Sequence, residues 1–436
     1  MEFRLYDNIL TIFYLLAWVF TLIWYQRKER TFDAGSAIII SYVCYALFSL
    51  LSLNDELFSD SYEPLTLFPF IYLYGMLMLS LLPAIYHHLH PTDTISPPQT
   101  RIIYIICIIS IICSIGLIGD LSGNVQQGLF KIVTDSDAGN DAYKAQAKEA
   151  ADNARGGIEN LLSVIYNSIS DIIIFVFFYL LTTYQKNKIM VGLMLFCVTI
   201  GMVSPVMHGQ RTGIMMTVFS MIVGYMVFKR YLSATVNRIA KIISICFLSV
   251  VSIPLIAITF SRFASRAAGV MGYLTWYIGQ ANLYFNNYAL DAGGTRNGDR
   301  VINLFKRLID SDTPSNYVER REMYKNLAID DHLFTTFVGD FCIDFGPLLA
   351  VIIFLVFYLW VLSRIQTGNK TIQLHQLYLL YFTMCISMQG GMYLFAYADT
   401  ANLKIITAML FYGYLVYHEL LLKKFPLQNR PTPCKQ

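Results

Sequence analysis

Four residues near the end of a long polar stretch recur at every fourth position: His332, Thr336, Asp340 and Asp344. On a helix this spacing lays them along one slowly drifting stripe. An imidazole and carboxylates on one stripe suit abstraction of a proton from a hydroxyl, and His332, whose ordinary pKa lies near neutrality, is the first candidate base. Asp340 and Asp344 carry two readings: proton transfer, or ion pairs with arginines such as Arg211 or Arg262 that only hold the site together.

The cations lie apart from that stripe in sequence. Arg211 sits in a tight turn, HGQRTG at 208–213, between two apolar runs. Its guanidinium has the fixed fork of donors that matches a phosphate, although an arginine at a membrane boundary also snorkels to water for its own sake. Arg262 and Arg266 stand four apart just past another apolar run, where two like charges on one helix face repel unless an anion lies between them. Arg296 and Arg300 lie in the Gly-rich polar segment AGGTRNGDR at 292–300 and join the candidate anion-binding set. Arg320 and Arg321 have Glu319 and Glu322 beside them and read as structural. Asp171, inside an apolar run, must face protein or water; it could belong to an ion pathway, and reads first as a buried partner for Lys404 or a backbone group.

The elements that must hold these residues follow from composition. The chain has 436 residues, 56% of them hydrophobic and 14% charged, with mean hydropathy +0.51. Soluble domains carry roughly a quarter charged residues. Runs such as IIYIICIISIICSIGLIG at 102–119 do not alternate, which excludes a barrel and leaves membrane helices. At roughly 20 residues each, about eleven spans are expected. They cover 7–26, 36–53, 65–85, 101–119, 159–183, 189–207, 213–228, 239–260, 342–362, 374–395 and 401–422. The fold class is therefore an all-α, polytopic membrane helix bundle in a single domain, 1–436. It carries one large extracytoplasmic loop, 261–341, with short interfacial helices, and a smaller loop, 120–157.

Lys and Arg in the short loops put the N-terminus outside and the C-terminus in the cytoplasm. The first apolar run lacks a basic leader and is expected to stay as a span. In the large loop, GVMGYLTWYIGQANLYF at 269–285 and VINLFKRLI at 301–309 are too interrupted to span and read as interfacial helices, with Tyr273, Trp276, Tyr277 and Tyr284 at headgroup level. Gly346 and Pro347 should kink the helix that carries the aspartates. The segment 141–155 is Ala-rich and charged, and is expected to form a surface helix.

Several classes drop out. A net charge of +3 is too small for a nucleic-acid partner, no nucleotide-binding motif or internal repeat is present, and the eight cysteines show no metal spacing. HHLH at 87–90 lacks a carboxylate or thiol ligand at useful spacing, so no metal site is expected there.

Three segments carry a family resemblance: GQRTG opening a span, YLTWYIGQANLYFNN at 273–287, and TFVGDFCIDFGP at 336–347. Over roughly 200–350 the chain resembles the bacterial O-antigen polymerases of the Wzy type, which join oligosaccharide repeat units. It departs from one spacing described in that family, since Ile222 rather than glycine stands eleven residues after Arg211. The resemblance implies a membrane glycosyltransferase at the outer face of the bacterial plasma (inner) membrane. It would polymerise undecaprenyl-diphosphate-linked repeat units into O-antigen, capsular or exopolysaccharide chains.

Arg211, Arg262, Arg266, Arg296 and Arg300 would then hold the diphosphate, and His332, Asp340 or Asp344 would serve proton transfer. Tyr277, Tyr284 and Tyr288 would stack on sugars. The resemblance implies neither metal nor other cofactor, since the undecaprenyl diphosphate arrives with the substrate. Its partners would be a flippase and a chain-length regulator. The rival readings are a flippase or transporter of the same lipids, an O-antigen ligase, and a non-enzymatic scaffold.

Overall fold

The computed structural model describes residues 2–28, 31–96, 100–122, 158–207, 211–263, 268–310, 312–314, 317–324, 327–328, 333–366, 370–394 and 399–424. Each expected span coincides with a helix. In chain order these are α1 (Glu2–Lys28), α2 (Ala34–Leu53), α3 (Leu67–Leu89), α4 (Thr100–Ser122), α5 (Ile158–Thr182), α6 (Lys188–Met207), α7 (Arg211–Phe228) and α8 (Ala234–Phe263). The polar stretch holds α9 (Gly269–Tyr284), α10 (Asn303–Ile309) and α11 (Tyr317–Glu322). The chain then forms α12 (Thr336–Ile365), α13 (Leu374–Gly390) and α14 (Asp399–Lys424). Among the described residues, seven helices are long and apolar enough to cross a membrane. In hydrocarbon only a helix satisfies its own amides and carbonyls, so apolar runs of this length have no other stable form.

The bundle is centred on α13, which is buried along almost its whole length. Tyr42 of α2 donates to the Ser387 carbonyl (2.7 Å), and Ser387 Oγ donates to the Ser80 carbonyl of α3 (3.0 Å). These bonds tie three apolar helices together where no water can compete.

The two ends of the bundle differ. At one end, strands β1 (Thr94–Ser96) and β2 (Thr371–Gln373) pair in parallel. Asp93 beside them meets Arg230 at 3.1 Å and Lys370 at 3.6 Å. The loops after α3, α7 and α12 therefore share this end, as the charge pattern expects. At the other, the loop end, Arg4 donates to Asp60 (2.7 Å) and the polar stretch closes over the helices.

Within that stretch α9 lies across the loop end of α2. Ser49 Oγ donates to the Gly279 carbonyl (2.7 Å), and Asn282 Nδ2 donates to Ser49 Oγ (3.0 Å). The crossing is so close that a Cβ at Gly279 would stand 2.3 Å from the Phe48 carbonyl oxygen. The second half of α9 is buried in protein, including Tyr284, which was expected at headgroup level. A π-turn, Phe285–Ala289, follows. Its Asn286 side chain accepts from the Thr66 amide (3.0 Å) and donates to the Thr66 carbonyl (2.7 Å). Asn287 does the same for Glu63, at 3.2 and 3.0 Å. Two side-chain amides thus replace the strand partner that the extended 63–66 segment lacks.

The expected interruption of α12 is present and is a full break. Gly346 has φ 77° and ψ 160°, a conformation open to glycine alone, and a second helical segment starts at Pro347. The remaining 347–365 segment runs about 28 Å at 1.5 Å per residue, close to the ~30 Å of a bilayer core. The outward residues of α10 are apolar, with Leu308 and Ile309 76% and 88% exposed, as an interfacial helix requires. The segment 141–155 lies outside the described residues.

The α9–α2 crossing yields a test. Gly279→Ala inserts a methyl group against backbone that cannot swing aside, and is expected to destabilise the protein by about 1–3 kcal/mol. The measurement is the thermal unfolding midpoint in detergent; an unchanged midpoint would contradict the close crossing.

Candidate functional site

The polar stretch is strapped to the bundle by the two aspartates of the stripe. Asp340 and Asp344 lie four apart on the first segment of α12 and face inward together. Asp344 accepts the backbone amides of Arg300 (3.1 and 3.0 Å to its two oxygens) and Val301 (2.5 Å). Arg300 Nε donates to Asp340 Oδ1 at 2.5 Å, with the two side chains only 3% and 0% exposed. The Arg296 amide donates to the Ile343 carbonyl (3.0 Å). Each carboxylate is thus engaged with the loop, and neither faces open solvent. Arg300, expected on the diphosphate, is engaged by Asp340, so the pairing of an aspartate with an arginine is present, with Arg300 rather than the named Arg211 or Arg262.

A second set of contacts fixes the same loop to α14. Asn402 Nδ2 donates to the Val301 carbonyl (2.7 Å) and its Oδ1 accepts the Leu304 amide (3.1 Å). Asp399 accepts from both Asn303 and Arg307. Behind them lies a buried charge cluster. Lys306 Nζ is 3.5 Å from Asp299 and donates to the Tyr324 hydroxyl (2.6 Å), which donates to the Arg296 carbonyl (2.9 Å). The Arg296 guanidinium stands 5.4 Å from the Tyr324 ring centre. Burial pushes the Asp299 carboxyl above its ordinary pKa, and Lys306, Arg320 and Arg296 pull it back only in part.

Arg211 occupies a different place. It is the first residue of α7 and is 5% exposed. Its guanidinium stands 4.6 Å from the ring centre of Phe263 and 4.8 Å from that of Tyr277, with Nη1 reaching Thr259 Oγ1 at 3.5 Å. Cation–π contacts of a desolvated arginine are worth about 2 kcal/mol. The row continues from Tyr277 to Phe334 (4.9 Å) and from Phe334 to Tyr393 (4.8 Å). Helices α7, α8 and α9 therefore converge on Arg211, and Phe334, two residues before α12, backs Tyr277.

Of the expected sugar-stacking tyrosines, only Tyr277 touches Arg211. Tyr284 is buried against Tyr62 (5.3 Å), and Tyr288 lies beside it (6.1 Å). His332 and Arg266, like the side chain of Arg262, lie outside the described residues. In sequence, Arg262 adjoins Phe263 and His332 is two residues before Phe334, the residues that bracket the Arg211 platform.

Deeper in the bundle, Asp171 accepts from Ser220 Oγ (2.8 Å), Gln389 donates to the same Oγ (2.7 Å), and Lys404 Nζ stands 3.7 Å from Asp171. Asp171 and Lys404 are thus paired, one of the two partners expected for it. His88 sits at the last turn of α3, with Nδ1 2.7 Å from Asp33, and serves helix packing. Among the described residues no group of three or more His, Cys, Asp or Glu could hold a metal ion. Sequence reasoning missed Asp299, Tyr324, Asp399 and Asn402. For the last two a signal was present: the polar DTAN at 399–402 opens an otherwise apolar run, as a helix start facing polar partners would.

Substitutions at Asp340 and Asp299 probe this network. Asp340→Ala strands a buried guanidinium and is expected to cost ~3–5 kcal/mol, whereas Arg300→Met combined with Asp340→Leu should recover most of the loss. Asp299→Asn is expected to stabilise the loop at neutral pH, and its advantage should shrink as pH falls toward the ordinary carboxylate range. Burial disfavours the ionised form, so the parent protein gains stability as Asp299 takes up a proton. Limited proteolysis of 290–330 at about pH 7.5 and about pH 5 reads both effects; equal cleavage of all variants would contradict the assignments. Compared with known proteins, the chain matches no family model, no curated protein and no solved structure.

Proposed function

We propose that this chain is a polymerase of undecaprenyl-diphosphate-linked oligosaccharide repeat units, crossing the bacterial plasma membrane with about eleven spans and working at its outer face. The observation that carries the reading is Arg211, held desolvated between Phe263 and Tyr277 at the N-terminus of an apolar helix. A helix N-terminus already favours an anion through its free amides and dipole, and a preorganised guanidinium there strengthens that preference. The motif resemblance over 200–350 supports the same substrate.

In the proposed reaction the bond between the donor's anomeric carbon and the diphosphate oxygen breaks. A bond from that carbon to the acceptor's hydroxyl oxygen forms, and undecaprenyl diphosphate leaves. Arg211, with Arg262 and Arg266, neutralises the charge that grows on the leaving diphosphate. His332 takes the acceptor's proton and passes it to water. Tyr277 offers a ring face beside the cation. Asp340, Asp344, Arg296 and Arg300 act as positioning residues that seat the loop. A flippase or a chain-length regulator would be partners of this activity.

The Asp171–Lys404 pair inside the bundle favours a second reading, transport of the same lipids, because intramembrane ion pairs often mark a path for substrate or protons. Reconstituted protein supplied with a lipid-linked repeat unit separates the two. The expected result is a ladder of products, with Arg211→Ala and His332→Ala each lowering the rate by about 10²–10³-fold. Lipid flipping without a ladder would establish the transporter instead, and equal ladders from both variants would remove these residues from the mechanism.

A further inference from the structure

Helices α7 and α8 run side by side and are pinned at both ends by polar contacts. At the loop end Arg211 meets Thr259 at 3.5 Å and stacks on Phe263. At the opposite end the Tyr225 hydroxyl donates to Asn237 at 2.6 Å. Between the pins the helices part around an apolar cleft of about 240 Å³, backed by Phe178 and Leu181 of α5 and walled by Ile222 and Ala240. Ile239 and Ile243 at its rim are exposed.

We infer that this cleft holds a segment of the polyisoprenoid tail of the lipid diphosphate whose headgroup Arg211 binds. The inference rests on the proposed function for the headgroup and adds a tail site to it. Continuity is the first argument, since the helix that begins at Arg211 also forms the cleft wall from Val218 to Met226. Reach is the second. At 1.5 Å per residue, Val218 lies about 10 Å and Met226 about 22 Å along α7 from Arg211. Half a bilayer core is ~15 Å, the span of one leaflet's acyl chains. A chain anchored at Arg211 that fills the cleft must therefore extend about 22 Å, past the mean depth of one leaflet. The Tyr225–Asn237 bond bridges the two helices toward the far end of the cleft. The wall is aliphatic and aromatic with few polar atoms, which suits a branched hydrocarbon.

The test uses the full-length protein in lipid nanodiscs and a diazirine-bearing undecaprenyl diphosphate. The expected result is labelling of 218–226 or 236–244 that undecaprenyl diphosphate competes away and phosphatidylglycerol does not. Equal competition by phosphatidylglycerol, or labelling confined to other helices, would overturn the inference. Filling the cleft with Ile222→Trp, or at its exposed rim with Ile243→Trp, is expected to weaken undecaprenyl diphosphate binding by about tenfold while dimethylallyl diphosphate, whose single isoprene unit is too short to reach, changes by less than about twofold. Equal changes for both lipids would also overturn it. Cleft labelling without product ladders would keep the tail site and remove the polymerase reading; ladders without cleft labelling would do the reverse.

Discussion

The attachment of residues 296–307 to α12 is the constraint on which the loop end depends. Asp344 gathers two consecutive backbone amides, and Asp340 one turn earlier takes the Arg300 side chain. A carboxylate buried without partners costs several kcal/mol, so neither aspartate tolerates a loop that drifts away. The α14 contacts of Asn402 and Asp399 close the same segment from the other side. The break at Gly346 makes this possible. It frees the segment that carries both aspartates from the direction of the span that follows, so the stripe can face the loop while the span faces its neighbours.

Arg211 depends on a different kind of support. It is buried among rings drawn from α8 and α9, and the aromatic row from Tyr277 through Phe334 to Tyr393 links it to the segments just before α12 and just after α13. The two networks adjoin: the helix that follows Phe334 carries Asp340 and Asp344, and Phe334 backs Tyr277. In this arrangement the polar groups are held by the fold itself, which is the preorganisation that the proposed stabilisation of a leaving group would require.

Much of the framework was legible in the residues. Apolar runs place every long helix, because hydrocarbon leaves the backbone no alternative. Gly346 and Pro347 announce the break, and the lone Asp171 in an apolar run announces a partner that proves to be Lys404. The pairing of charges was not legible in the same way. Periodicity placed Asp340 and Asp344 on one stripe but could not say that Arg300, forty positions earlier in a Gly-rich turn, would lie over them. Loop closure, which no local pattern encodes, makes that choice. The burial of Tyr284 has a similar origin: it follows from the Gly279 crossing on α2 and the Tyr62 ring, both remote in sequence.

The central claim is that the guanidinium at the start of α7 recognises a diphosphate. Equilibrium binding of undecaprenyl diphosphate and of undecaprenyl monophosphate, to parent protein and to Arg211→Gln at fixed ionic strength, tests it most directly. The expected result is a loss of about 10²-fold in affinity for the diphosphate on substitution, as removal of a buried charge-assisted contact implies, and a smaller loss for the monophosphate. Equal affinities of the two proteins for the diphosphate would contradict the claim.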